Sequence, residues 1–265
     1  MEYIIYLIFF IIGTLFGSFF TLAVYRIPIG KDITHERSYC PNCNHKLNFL
    51  DLIPILSYLF LGGKCRYCKK KIRARYLILE IATGVIFTTY AISFNIDWIN
   101  IQVDKITALI LGLLYFTCLL IIGGIDKERK QIQKAVLVYG IVIDMLYIIY
   151  MCIFNQASAY GYLVYLCILA LIIIIDISVI KKKLDTNYTL QILALLIIIV
   201  LFSGEMITYF TILLTIIWIA IISLKIQLKK NKAVKKEQSL QLSIGYYLAI
   251  TNIILIIVNN FLIYK

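Results

Sequence analysis

Four cysteines, Cys40, Cys43, Cys65 and Cys68, form two C-x-x-C pairs with 21 residues between them. That spacing suits two knuckles gripping one tetrahedral zinc ion through four thiolates. Four thiolates leave the metal no open position, so the expected role is structural and not catalytic. His45 follows the first knuckle closely enough to be an alternative ligand, although four cysteines already suffice. Cys118, Cys152 and Cys167 are scattered through apolar runs, where a free thiol behaves as a small hydrophobe.

The elements that carry these cysteines are unusual. The chain has 265 residues, is 62% hydrophobic, and has a mean hydropathy of +0.92. A soluble domain of this size could not hide so much apolar surface, so lipid must be the solvent for most of it. Backbone groups in lipid have to pair internally, and long continuous apolar runs select helices over a barrel. Runs of spanning length predict eight helices, roughly Tyr3–Tyr25, Tyr76–Phe94, Ile106–Ile125, Ala135–Phe154, Tyr160–Ile180, Thr189–Phe202, Ile207–Leu228 and Ser243–Leu262. The first run lacks a positive flank before it and a small-residue cleavage site after it. A retained helix is expected there, not a signal peptide.

The net charge of +12 is a topology signal. Segments 26–75, 126–134, 181–188 and 225–242 hold all of the 26 Lys and Arg residues except Lys105 and Lys265. The positive-inside rule puts those four loops in the cytoplasm and both termini outside. No nucleic-acid partner is expected from such a distribution. On the reducing side, a thiolate–metal site is favoured over disulfides. The run Lys229–Lys236 reads as a solvated cytoplasmic face that could also meet anionic lipid head groups.

The organisation expected is a first span over 1–25, a cytoplasmic four-cysteine zinc-binding insertion over 26–75, a helix bundle over 76–228, a basic linker over 229–242 and a last helix over 243–265. The insertion is too small to be stable on its own apolar core, and metal binding would supply its folding free energy. Within it, residues 51–60 are apolar enough to lie at a bilayer surface but too short to span one. Gly13 and Gly17 have the spacing that lets helix backbones approach closely. The last span reads as an addition to the bundle.

Residues Gly17-Ser18-Phe19-Phe20-Thr21-Leu22-Ala23-Val24-Tyr25-Arg26-Ile27-Pro28 resemble the opening signature of the prepilin peptidases, the type IV prepilin leader peptidases. The resemblance continues through the paired cysteines, Asp51-Leu52-Ile53-Pro54-Ile55-Leu56-Ser57-Tyr58 and Arg75-Tyr76-Leu77-Ile78-Leu79-Glu80, and is dense over residues 13–87. Thr21 stands where the family usually has Asn, and Leu77 where it usually has Pro. The resemblance implies a polytopic aspartyl protease that removes prepilin leaders at the cytoplasmic membrane face, in type IV pilus assembly or protein secretion. It also implies N-methylation of the new amino terminus with S-adenosylmethionine as cofactor.

Aspartyl proteolysis needs two carboxylates that share a proton, one to activate water and one to protonate the substrate. Like charges that close cannot both ionise, which separates the two roles. Asp126 closes the third apolar run and is similar in context to the family's first catalytic aspartate. The usual Pro turn is replaced by Ile132-Gln133-Lys134. In the family the second aspartate sits in Gly-x-Gly-Asp after a basic loop. Here Lys181-Lys182-Lys183-Leu184 leads into Asp185-Thr186-Asn187-Tyr188, so both glycines are absent and Tyr188 takes the aspartate's place. A tyrosine, with a reference pKa of about 10, cannot replace a carboxylate that shuttles a proton near neutrality. Asp185, one helical turn earlier, is the expected partner of Asp126. Asp176, inside the fifth run, is the other candidate. Asp144 lies too deep to meet Asp126 and reads as a protonated packing acid. Glu80 suits binding of a substrate's charged amino terminus or holding of Arg75.

The expectation is an all-α polytopic membrane protein that cuts prepilin-like substrates through Asp126 and Asp185. The alternative keeps the fold and binds prepilins or pilus assembly partners without cutting them. A third reading, a small transporter using Asp144 and Asp176 as a relay, lacks the paired broken helices such proteins use.

Overall fold

The computed structural model describes residues 2–100, 102–154, 159–181, 187–230 and 243–264, with side chains over the same residues except 159, 173–181, 187 and 226–230. Among the described residues eight α-helices follow one another: α1 (Glu2–Arg26), α2 (Leu56–Phe60), α3 (Arg75–Ser93), α4 (Val103–Arg129), α5 (Lys134–Phe154), α6 (Ala159–Lys181), α7 (Asn187–Lys230) and α8 (Ile244–Ile263). Among the described residues there is no strand, only the isolated bridges Tyr39–Lys46 and Lys64–Lys71. The protein is a multi-pass helical membrane protein, as its composition demands.

Six helical stretches are long and apolar enough to cross a membrane among the described residues, not eight. Part of the difference lies in α7, where Gly204 adopts φ 78° and ψ 169°, far from helical values. Ser203 before it and Thr211 after it both meet the same amide, Asn252 Nδ2, at 3.2 Å. In a straight helix those residues would stand about 12 Å apart along the axis, so the chain turns back at Gly204. The sixth and seventh expected runs are thus the two arms of α7. The fifth corresponds to α6, whose fully described apolar part, Tyr160–Ile172, is shorter than a span.

The chain divides into two compact units, Met1–Lys105 with Tyr264–Lys265, and Ile106–Ile263. In the first, α1 packs on α3 at backbone distance. A Cβ on Gly17 would lie 2.8 Å from the Cα of Glu80, and one on Gly13 would lie 2.7 Å from the carbonyl of Thr83. The small-residue spacing therefore does what it predicts, letting dispersion contacts form between main chains. At the end of α1 the buried Arg26 donates to the carbonyls of Asp32, Glu36 and Arg37 at 2.7, 2.9 and 3.2 Å, which folds the loop back under the helix.

The second unit contains α5 to α8 and most of α4. Its interior is apolar, with Phe116, Leu119, Ile122, Leu195 and Ile198 fully buried. A polar thread runs through it. Tyr115 donates to Asn252 Oδ1 at 2.9 Å, and Asn252 reaches Ser203 and Thr211. In a lipid-facing bundle such bonds hold helices in register where the hydrophobic effect gives no preference. Because α8 carries Asn252, it is part of the bundle's core and not an addition to it. The expected linker over 229–242 falls mostly on 231–242, outside the described residues.

Candidate functional site

The two chemistry-bearing regions lie in different units. In the first unit, each knuckle repeats one backbone design. Cys40 N–H donates to the His45 carbonyl at 3.0 Å and Asn44 N–H to the Cys40 carbonyl at 2.8 Å. Cys65 and Lys69 make the equivalent bonds at 2.9 and 3.0 Å, to Lys70 and Cys65. Asn44 and Lys69, each directly after the second cysteine of its pair, share a left-handed φ of 55° and 59°. The tight turn brings all four sulfurs within 4.8 Å of one another, with Cys40 and Cys68 Sγ 3.9 Å apart. Zinc–sulfur bonds of about 2.3 Å in a tetrahedron require sulfurs about 3.8 Å apart, so the cluster fits the ion.

Two of the four thiols, Cys40 and Cys68, are shifted toward the thiolate a metal requires. Lys70 N–H and the Asn42 amide lower the Cys68 pKa to about 6. Burial raises that of Cys40, but the N–H groups of Cys43 and Asn42 outweigh it and the net shift is downward. The His45 N–H pulls Cys43 down, but burial and the neighbouring Cys40 and Cys68 thiols leave it raised to about 11. Four crowded thiols cannot all ionise without a cation among them. His45 does not join the cluster. Its ring lies against that of Tyr67 instead, tilted by 34° with centroids 3.6 Å apart. His35 pairs with Asp32, Nδ1 to Oδ2, at 2.8 Å.

The segment between the knuckles is tied at both ends. Asp51 accepts from Arg66 Nε at 2.6 Å and from the Tyr67 hydroxyl at 3.2 Å. Glu80, buried on α3, accepts the Ile55 N–H through Oε2 at 2.8 Å. Glu80 therefore holds the polypeptide of the insertion, and the role expected for it at a substrate's amino terminus has one oxygen already engaged.

In the second unit, Asp126 lies in the last turn of α4, which ends when Lys130 turns left-handed at φ 56° and donates its N–H to the Asp126 carbonyl at 2.9 Å. The Asp126 carboxylate is fully buried. Its Oδ1 accepts from the Tyr188 hydroxyl at 2.9 Å, and its Oδ2 from the Tyr246 N–H at 3.0 Å. Tyr246 is in the first turn of α8, so Asp126 satisfies one of the N–H groups a helix start leaves open and meets the positive end of its dipole. Gly245 permits this approach, because a Cβ there would stand 3.2 Å from Oδ2. The Tyr188 oxygen also accepts the Ile244 N–H at 3.2 Å. Two lysines close the margin: Lys130 Nζ donates to Ser243 Oγ and Lys127 Nζ to the Tyr246 hydroxyl, both at 2.9 Å. Further along, in the stretch that stands in place of the family's usual Pro turn, Ile132 N–H reaches Gln191 Oε1 at 3.3 Å.

Among the described residues this arrangement brings Tyr188, not a second carboxylate, onto Asp126. Asp185 lies outside the described residues, as does the side chain of Asp176. Asp144 is fully buried on α5, with neither oxygen hydrogen-bonded among the described residues. The contribution of α8 was missed from sequence. Ser243 directly before a run that contains Gly245 is a helix-start signal that points to this end of α8, but nothing local says which acid will meet it.

Residues 11–94 match the family described as the Bacterial Peptidase A24 N-terminal domain. A "Prepilin leader peptidase/N-methyltransferase" of Vibrio cholerae serotype O1 is 36% identical over 124 residues, 44% of this chain and 46% of that protein. Proteins of the same name are 33% identical over 132 residues in Bacillus subtilis, half of each chain, and 31% identical over 129 residues in Klebsiella pneumoniae, 46% of this chain and 52% of that protein. The chain thus spans about half the length of these relatives. No solved structure matches it. Through its amino-terminal part the chain is similar to the prepilin leader peptidases.

Proposed function

We propose that this protein receives prepilin-like leader segments at the cytoplasmic face of the membrane and holds them without hydrolysing the leader bond. The observation that carries this reading is the 2.9 Å bond from the Tyr188 hydroxyl to Asp126 Oδ1. Tyr188 stands where the family resemblance puts the second aspartate. A phenol in that place donates a hydrogen bond but cannot exchange a proton with Asp126 near neutral pH. The remaining Asp126 oxygen serves the start of α8. Both Asp126 oxygens are engaged in holding helices, and among the described residues no second acid is bonded beside it to complete a proton transfer to water. Asp126 then works as a fastener between α4, α7 and α8. In this reading Cys40, Cys43, Cys65 and Cys68 hold a structural zinc ion that folds the insertion. The test is to co-express the full chain with a prepilin and ask two questions. The prepilin should co-purify in detergent, and its size should stay that of the uncut form.

A second reading rests on the relatives' names. In it the protein is an aspartyl peptidase that pairs Asp126 with Asp185, which precedes Tyr188 by three residues, or with Asp176. Methyl transfer from S-adenosylmethionine belongs to the same reading. Cleavage lost on Asp126→Asn and on one of Asp185→Asn or Asp176→Asn would establish it over the first.

A further inference from the structure

Within the largely polar insertion of the first unit, the apolar stretch noted in the sequence is uncovered. Phe49, Leu50, Leu52, Leu56, Leu59 and Phe60 are all exposed, Phe49 by 81% and Phe60 by 85%. Soluble domains rarely leave a contiguous group of this kind uncovered. Two internal rulers give its depth. The Ile55 N–H bonds to Glu80, five residues inside the start of α3 at Arg75, which is about 7 Å along the helix. Independently, Phe49 and Leu52 line a hollow of about 490 Å³, which Glu36 and Arg37 also line, together with Phe19 and Leu22 of α1. Those two residues lie four to seven positions inside Arg26, about 6 to 10 Å along that helix. Both rulers place the segment beside the membrane-spanning parts of α1 and α3, at a level below their basic ends. There it adjoins other exposed apolar side chains, Phe19 on α1 and Ile78 and Leu79 on α3.

We propose that residues 49–60 form an interfacial anchor that lies in the acyl region of the leaflet on the insertion's side, with that lipid surface as its occupant. The chemistry fits a lipid partner at both ends. Lys46 and Lys64 are exposed on either side of the apolar group, at the positions where a chain leaving the leaflet meets anionic head groups. With five residues, α2 cannot cross. Asp51, bonded to Arg66 and Tyr67, and Glu80, bonded to Ile55, fix the segment to the second knuckle and to α3. The zinc cluster is thereby clamped against the bilayer and not suspended above it. This inference does not depend on whether the protein cleaves its partner.

Tryptophan fluorescence of the full chain in phosphatidylcholine–phosphatidylglycerol vesicles tests it, using lipids brominated on the upper acyl chain as quenchers. Phe60→Trp and Phe49→Trp are separate reporters, read as differences from the parent, which carries Trp98 and Trp218. Pro41→Trp is the polar control, since Arg66 holds the equivalent place in the second knuckle. Zinc content verifies that each variant keeps its fold. The expected result is blue-shifted emission from both reporters, lost with brominated lipid, while the control emits as in water and is not quenched. Water-like, unquenched emission from both reporters in zinc-loaded protein would overturn the proposal. So would quenching relieved by co-expressed prepilin, which would make the segment a substrate-docking face. Quenching that disappears as the protein is concentrated in the bilayer would identify a second copy as the occupant, and would equally overturn it.

Discussion

The Tyr188 hydroxyl sits 2.9 Å from Asp126 Oδ1 and at the same time 3.2 Å from the Ile244 N–H, so a single oxygen links α4, α7 and α8. Removing that oxygen strands two buried polar groups at once. Tyr188→Phe should therefore lower stability, by about 1–3 kcal/mol for the unsatisfied groups. Thermal unfolding in detergent measures this, and an unchanged midpoint would show that the bond carries no weight.

Asp126→Ala should be at least as costly. It deletes the acceptor for Tyr188 and for the first turn of α8, and its interaction with the helix dipole adds up to about 2 kcal/mol in a partly buried setting. The account expects a stability defect whether or not any substrate is present. An Asp126→Ala protein as stable as the parent would mean that the residue is kept for chemistry and not for structure.

The helix pair of the first unit makes a separate prediction. A side chain at position 17 would collide with the Thr83 hydroxyl and the Glu80 main chain. The hydroxyl could rotate, but the main chain cannot yield without parting α1 from α3. Gly17→Leu should cost at least the roughly 1–3 kcal/mol typical of overpacking and loosen the Glu80–Ile55 tether. Greater protease access to the insertion would report that loosening.

Zinc should be present at one ion per chain and should be removed by a strong chelator, with unfolding of the insertion. Cys43→Ser should lose it too. Ligand thiols must be deprotonated, so protons compete with the metal. Zinc should thus be retained at neutral pH and released on strong acidification, as protons take the four sulfurs from the metal. Protein that carries no zinc at neutral pH after purification without chelator would contradict the four-thiolate site.

The sequence disclosed those parts of the protein in which neighbours in the chain are neighbours in space. The C-x-x-C pairs build their own turns, so Cys40, Cys43, Cys65 and Cys68 were legible as a metal cluster. Gly13 and Gly17 announced a close helix contact because their spacing matches a helix repeat. Asp126 could be singled out by its place at the end of an apolar run. The resemblance also pointed to Tyr188, but not to Gly245 and Tyr246 of α8, which come about 120 positions further on. For the same reason the last helix read as an addition, although Asn252 and its first turn make it central. Gly204 falls between two apolar runs that could be told apart in the sequence, but not that they would form one helical stretch with a reversal at the glycine.

The central claim is that Tyr188 has replaced the second carboxylate and closed the aspartate site. Its most direct test is the size of a prepilin co-expressed with the full chain in cells that lack another prepilin peptidase. The account predicts prepilin of uncut length, identical with the parent and with Asp126→Asn. Prepilin shortened by its leader with the parent, and left uncut with Asp126→Asn, would contradict it.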